Sequence, residues 1–157
     1  MNIKTIEGKL VNNNYKFAII ASRFNNFIVS HLIDGAIDVL ERHNVDREQI
    51  NLIRVAGAFE IPKATQLVVQ TKKYDGIICL GALIKGETYH FDVLANEVTK
   101  GLAQLNLTAE IPISFGILTT NNIEQSIERS GSKAGNKGAE AALTCLEMIN
   151  LYELIES

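Results

Sequence analysis

Short apolar runs of strand length alternate with segments whose apolar residues recur every three or four positions. This alternation constrains the fold more than any other feature of the chain. Lys16 to Ala21 (KFAIIA) reads as a buried strand. Val29, Leu32, Ile33, Ala36, Ile37 and Leu40 then follow helical spacing. Ile50 to Ala56 (INLIRVA) is a second strand. The next helix starts near Pro62, because proline suits a first helical turn, and it turns Ala64, Leu67 and Val68 inward. Gly76 to Leu80 opens a third strand, and Phe91, Leu94, Ala95, Val98, Leu102 and Leu105 give the next helical stripe. Ile111 to Leu118 is a fourth strand. A short helix over Ile123 to Arg129 and a long one from about Lys133 to Tyr152 close the chain.

Strand and helix in regular turn predict an α/β fold, a parallel sheet covered by helices on both faces. Right-handed crossovers make it a doubly wound, flavodoxin-like sheet of four strands in the order 2-1-3-4. The 157 residues are expected to form one domain, with residues 1–14 as an N-terminal arm. Within the arm, Ile3 to Leu10 is a weak strand candidate with no place in that sheet. It is either frayed or paired with the sheet edge of another chain.

Composition removes several functional classes. Fifteen basic and eighteen acidic residues give a net charge of −3, which lacks the footprint of a nucleic-acid binder. No apolar run approaches the roughly 20 residues that span a bilayer, so no membrane association is expected. The opening MNIKTIEGKLVNNN is not a secretory signal, and the cytoplasm is the expected compartment. Two cysteines, Cys79 and Cys145, are too few for a disulfide framework and read as small buried hydrophobes. No CxxC, HExxH, GxGxxG or P-loop pattern is present, so no metal site is expected.

In open parallel sheets, ligands bind beyond the carboxyl ends of the strands. Here those ends read Ser22-Arg23-Phe24-Asn25, Gly57-Ala58-Phe59-Glu60, Gly81-Ala82-Leu83-Ile84-Lys85-Gly86 and Phe115-Gly116-Ile117. Glycine lets backbone groups approach a ligand, and aromatic rings stack on flat heterocycles. A slot for a planar, hydrogen-bonding molecule is one reading; turn glycines and core rings are the other. Between the third strand and its helix, Thr88 can cap and free N–H groups can hold an anion. His90 stands there as a residue type able to carry protons near neutral pH, or else serves structure alone. Arg129, Lys133 and Lys137 follow an i, i+4, i+8 spacing at the mouth of the last helix. Cations there cost stability unless an anion binds them, so a phosphate site and a solvated basic turn both fit.

Taken together and in this order, ASRFN, GAFEIP, GETYHF, FGILTT, IEQSIERSG and KAGNKGAEAA closely resemble the lumazine synthase (6,7-dimethyl-8-ribityllumazine synthase) family. The resemblance covers about Glu7 to Leu151. It implies a transferase of riboflavin biosynthesis. The reaction condenses 5-amino-6-(D-ribitylamino)uracil with 3,4-dihydroxy-2-butanone 4-phosphate, releasing phosphate and water, with no metal or organic cofactor. By resemblance Phe24 stacks on the pyrimidine. Ala58, Phe59 and Glu60 bind the ribitylaminouracil, with Glu60 on the ribityl hydroxyls. Ala82, Leu83 and Ile84 line the ring site, and Phe115 is its second wall. Glu87, Thr88 and Arg129 bind the phosphate, His90 transfers protons, and Lys137 reaches the ribityl chain. Many relatives carry threonine where Ala82 stands and arginine where Lys85 stands.

Assembly is also implied by the resemblance: a homo-oligomer, a pentamer or a sixty-subunit icosahedral shell, with active sites between neighbours. Phe115 and Arg129 would cross the interface to Phe24 and His90. The arm would extend a neighbour's sheet, and a riboflavin synthase is a candidate partner of the shell. Competing readings are a same-fold riboflavin synthase and a flavin-binding or shell-forming relative without catalysis.

Overall fold

The structure is a computed structural model that describes residues 2–86, 90–131 and 135–157. Among these, the strands are β1 (Phe17–Ser22), β2 (Ile50–Val55), β3 (Gly76–Ile84) and β4 (Ile113–Thr120). The helices are α1 (Asn26–Arg42), α2 (Ile61–Thr71), α3 (Phe91–Thr108), α4 (Ile123–Arg129) and α5 (Lys137–Glu156). The sheet is parallel throughout and ordered β2-β1-β3-β4, as the alternation predicts.

Side chains on a strand point alternately to its two faces, and the two inner strands are apolar at nearly every position. Phe17, Ile19 and Ala21 of β1 and Ile78, Leu80 and Ala82 of β3 enter one core layer. That layer is closed by Val29, Leu32, Ala36 and Leu40 of α1 and by Ala142, Cys145 and Leu146 of α5. Ala18 and Ile20 of β1 and Ile77, Cys79 and Leu83 of β3 enter the other. Ile61 and Val68 of α2 and Val98 and Leu102 of α3 close it. The two cysteines therefore lie on opposite faces, both fully buried, and burial pushes each thiol up to about 12.

Most boundaries shift by a few residues from the sequence expectation, and three of the shifts have a clear local reason. β4 begins at Ile113 rather than Ile111 because Pro112 has no N–H, and the Ile113 N–H donates to Asn106 Oδ1 at 3.0 Å. β3 continues to Ile84 because it stays paired with β4 out to Thr120. α5 begins at Lys137 rather than Lys133 because the Asn136 side chain caps it, accepting the Ala139 N–H at 3.0 Å. Lys133 itself falls outside the described residues.

α1 and α5 cross at very short range. A Cβ built on Gly138 would stand 2.0 Å from the Leu32 carbonyl oxygen, so backbone meets backbone there. Alanine normally favours a helix interior over glycine by about 1 kcal/mol. Gly138→Ala should reverse that sign and destabilise the protein by about 1–3 kcal/mol, the range for overpacking; chemical denaturation measures it.

Residues 3–10 form no strand within the chain. The arm lies along α5, where Asn150 Nδ2 donates to the Val11 carbonyl at 2.9 Å. At its end the Tyr15 hydroxyl lies 3.1 Å from Asn150 Oδ1 and 3.2 Å from Glu153 Oε2. Burial, with the Glu153 carboxylate beside it, raises Tyr15 from 10.0 to about 12. The folded state thus favours the neutral phenol. Its contribution is complete below pH 10 and is lost as pH rises towards 12. Denaturation across that window should show a fall in stability, and Tyr15→Phe should lack this component of it.

Candidate active site

Two turns leave the sheet side by side. After β1 the chain passes through Arg23, Phe24 and Asn25 into α1. Asn25 takes the left-handed conformation (φ 61°, ψ 42°), which asparagine adopts more readily than most residues. Its carbonyl accepts the N–H groups of Ile28 and Val29, both at 3.0 Å, and so starts α1. Its Nδ2 donates to the Ala82 carbonyl at 3.0 Å, serving a part of β3 that runs on past the end of β1. The Arg23 N–H donates to the Val55 carbonyl at 2.7 Å and the Phe24 N–H to that of Ala56 at 3.1 Å, so the first turn is tied to the second. Arg54 Nη2 reinforces the tie, donating to the Ser22 carbonyl at 3.0 Å and to Asn26 Oδ1 at 2.7 Å. In the second turn the Gly57 N–H donates to Glu60 Oε2 at 2.9 Å.

These ties hold two rings out of the core. Phe24 is 52% and Phe59 63% exposed, whereas Phe17 is wholly buried. The two rings are therefore surface residues and not core packing. Ala58 is buried, and so are Ala82, Leu83 and Ile84. Their side chains face packed neighbours, so a ligand would meet these four chiefly through the backbone. Glu60 is exposed with one carboxylate oxygen turned to its own turn. His90 is exposed at the start of α3, where its carbonyl accepts the Leu94 N–H at 2.9 Å. Glu87 and Thr88 lie outside the described residues.

Phe115, Arg129 and Lys137 form a second group. They line a cleft of about 410 Å³ together with Ile117, Thr119 and Glu140; Phe24, Phe59 and His90 are not among its lining residues. The strands explain the separation. β4 is the edge of the sheet, two strand spacings (about 9.5 Å) from β1. Phe115 pairs with Cys79, five residues before the Ile84–Thr120 pair at the strand end. At about 3.3 Å per residue, that sets Phe115 some 16 Å below the end of β3 and about 7 Å below that of β1, whose Ile20 is level with Cys79.

The cations also stand differently from expectation. Arg129 closes α4, and a basic residue in a last helical turn suits the dipole instead of opposing it. Lys137 opens α5. Asn136 joins the two elements. Its Nδ2 donates to the carbonyls of Ser130 and His31, each at 2.9 Å, while its Oδ1 caps α5.

Sequence reasoning gave no role to Asn25, Arg54 or Asn136. Arg54 left a signal, as the one charge inside the apolar run INLIRVA. The two asparagines left none beyond their place at helix starts.

The chain is a doubly wound α/β protein, a class whose ligands bind beyond the carboxyl ends of the strands, where these rings and turns lie. The chain belongs to the 6,7-dimethyl-8-ribityllumazine synthase family, whose model matches residues 14–153. It is 56% identical over 153 residues to the 6,7-dimethyl-8-ribityllumazine synthase of Nitratidesulfovibrio vulgaris (strain DP4), covering 98% of each chain. A protein of the same name from Prosthecochloris aestuarii is 52% identical over 155 residues, covering 99% of this chain and all of that one.

Asn25→Ala should destabilise the fold by about 2 kcal/mol, since it forfeits the bond to Ala82 and puts alanine in the left-handed region. Asn25→Gly should recover the backbone part alone. Urea unfolding of the two variants separates the contributions.

Proposed function

We propose that this chain is a transferase that condenses 5-amino-6-(D-ribitylamino)uracil with 3,4-dihydroxy-2-butanone 4-phosphate to 6,7-dimethyl-8-ribityllumazine, phosphate and water. The observation that carries the reading is the pair of exposed rings, Phe24 and Phe59, on adjacent turns joined by backbone hydrogen bonds. Such a pair suits a flat pyrimidine, whose polar edge would be met by the backbone of Ala58 and of Ala82 to Ile84. Glu60 takes the ribityl hydroxyls, with Lys137 near that chain. Phe115 is the second wall of the ring site. The phosphate rests on Glu87 and Thr88, chiefly through backbone groups, and on the Arg129 guanidinium, whose planar donor fork matches its oxygens.

Schiff-base formation, phosphate loss and ring closure each move a proton, and His90 serves those transfers. Holding two reactive substrates together supplies much of the rest, since proximity is worth about 7–11 kcal/mol. The separate placing of Phe115 and Arg129 supports an active site shared between neighbours in a homo-oligomer. One subunit would give Phe24 and His90, the next Phe115 and Arg129. Val93, Leu107, Phe27 and Leu52 are apolar and exposed on the single chain, which suits burial in such an assembly. We assign a pentamer, with a sixty-subunit shell as its further assembly, a neighbour's sheet edge as the place of the arm, a riboflavin synthase as the partner of the shell, and the cytoplasm as the compartment. Among the described residues no helix is long and apolar enough to cross a membrane.

Mixing both substrates with the protein should accelerate formation of the fluorescent lumazine, with release of phosphate, over the same mixture without protein. A folded assembly that binds the ribitylaminouracil but gives no acceleration would overturn the assignment. His90→Ala should slow turnover about 10²-fold or more without abolishing it, because proximity survives the loss of a proton carrier. Sedimentation of the wild type should show no active monomer.

A further inference from the structure

We propose that Asn136 is a positioning residue for the phosphate-binding arginine, holding Arg129 in register through the backbone of Ser130. The inference rests on the reading above that Arg129 meets the phosphate of the butanone substrate. It is drawn from how completely one half-buried side chain is used. A carboxamide has two N–H donors and one oxygen, and Asn136 engages both ends at once. Nδ2 donates to the Ser130 carbonyl at 2.9 Å and to the His31 carbonyl at 2.9 Å. Oδ1 accepts the Ala139 N–H at 3.0 Å. Three elements meet in one amide: the end of α4, the middle of α1 and the start of α5.

The consequence for Arg129 is geometric. Arg129 is exposed at the last position of a seven-residue helix, and Ser130 follows it directly. Ser130 is buried, forms an antiparallel bridge with Asn136, and gives its carbonyl to the Asn136 amide. A short helix has little rigidity of its own. The direction in which Arg129 leaves the surface is therefore fixed from its C-terminal side, by a bond anchored on α1. The two ends of the amide divide the labour. The oxygen fixes where α5, and hence Lys137, begins; the two donors fix Ser130, and hence Arg129, against α1.

Gly35 shows how tightly the amide is seated. It lies inside α1, and a Cβ built on it would stand 2.4–2.5 Å from Cγ, Oδ1 and Nδ2 of Asn136. Alanine at that position would suit the helix better than glycine, yet it would displace the amide.

The test uses two variants with different effects on folding and one control. Asn136→Asp keeps the cap oxygen for α5 but loses both donors. Gly35→Ala favours α1 but displaces the whole amide. Each is assayed in the full assembly, at a concentration where sedimentation matches the wild type, with KM measured for each substrate. Both variants should raise the KM for 3,4-dihydroxy-2-butanone 4-phosphate about tenfold. In Asn136→Asp the KM for the ribitylaminouracil should stay within about twofold, the pattern of lost binding to one substrate only. Arg129→Ala should raise the same KM by at least as much. If Arg129→Ala raises it and neither variant does, the positioning role is overturned. An equal rise in both KM values of Asn136→Asp, accompanied by loss of thermal stability, would mark a structural role and overturn it too. If Arg129→Ala itself leaves the KM unchanged, the phosphate assignment fails and takes this inference with it.

Discussion

Complete burial of β1 is the constraint from which the rest of the molecule follows. All six of its residues, Phe17 to Ser22, are buried, with helices packed above and below and a strand on either side. Each large aliphatic side chain so enclosed contributes about 1.5–3 kcal/mol. The same enclosure leaves its backbone groups no partner but neighbouring strands. β1 must therefore leave the sheet abruptly where its apolar run ends, at Ser22. β3 runs on for several residues along β4, so a step is cut into the carboxyl edge of the sheet. The Phe24 turn fills that step.

Filling it demands polar bonds that the ladder no longer supplies, and the chain provides them with amides and one guanidinium. Asn25 meets the Ala82 carbonyl, and Arg54 meets the carbonyls at the end of β1. Each bond is worth only about 1 kcal/mol net, but an unpaired buried group would cost more than that. The result is a turn stiff enough to hold an aromatic ring in water instead of letting it collapse inward. On the proposed function, a ring held in this way costs little to order when a flat ligand stacks on it.

Preorganisation of the same kind appears at the far side of the sheet, where Asn136 ties α4, α1 and α5. In both places a small side chain with fixed donor geometry ties down the backbone next to a larger exposed one. The division suits a reaction whose substrates are already reactive. On the proposed function, the protein's task is chiefly to hold a pyrimidine and a phosphate together and to carry protons between them. The two groups of residues, around Phe24 and around Phe115, stand apart on one chain, which is why the proposed function shares the site between neighbours.

The sequence by itself determined the class of fold, the strand order, the buried cysteines and the family. Those depend on periodicity, on apolar runs and on motif residues, all of which are local. It also marked Phe24, Phe59 and His90, since each stands at a strand end or helix start that periodicity can place. Three things were decided only by tertiary structure. The true end of β3 depended on its pairing with β4, which no property of GIICLGALI reveals. The start of α5 depended on where the Asn136 oxygen found an N–H, so Arg129 and Lys137 fall on two different elements. The supporting roles of Asn25, Arg54 and Asn136 each drew on at least one partner 28 to 105 residues away. A hydrogen bond across that distance exists only once the chain has folded, because its donor and acceptor leave no periodic trace in the sequence.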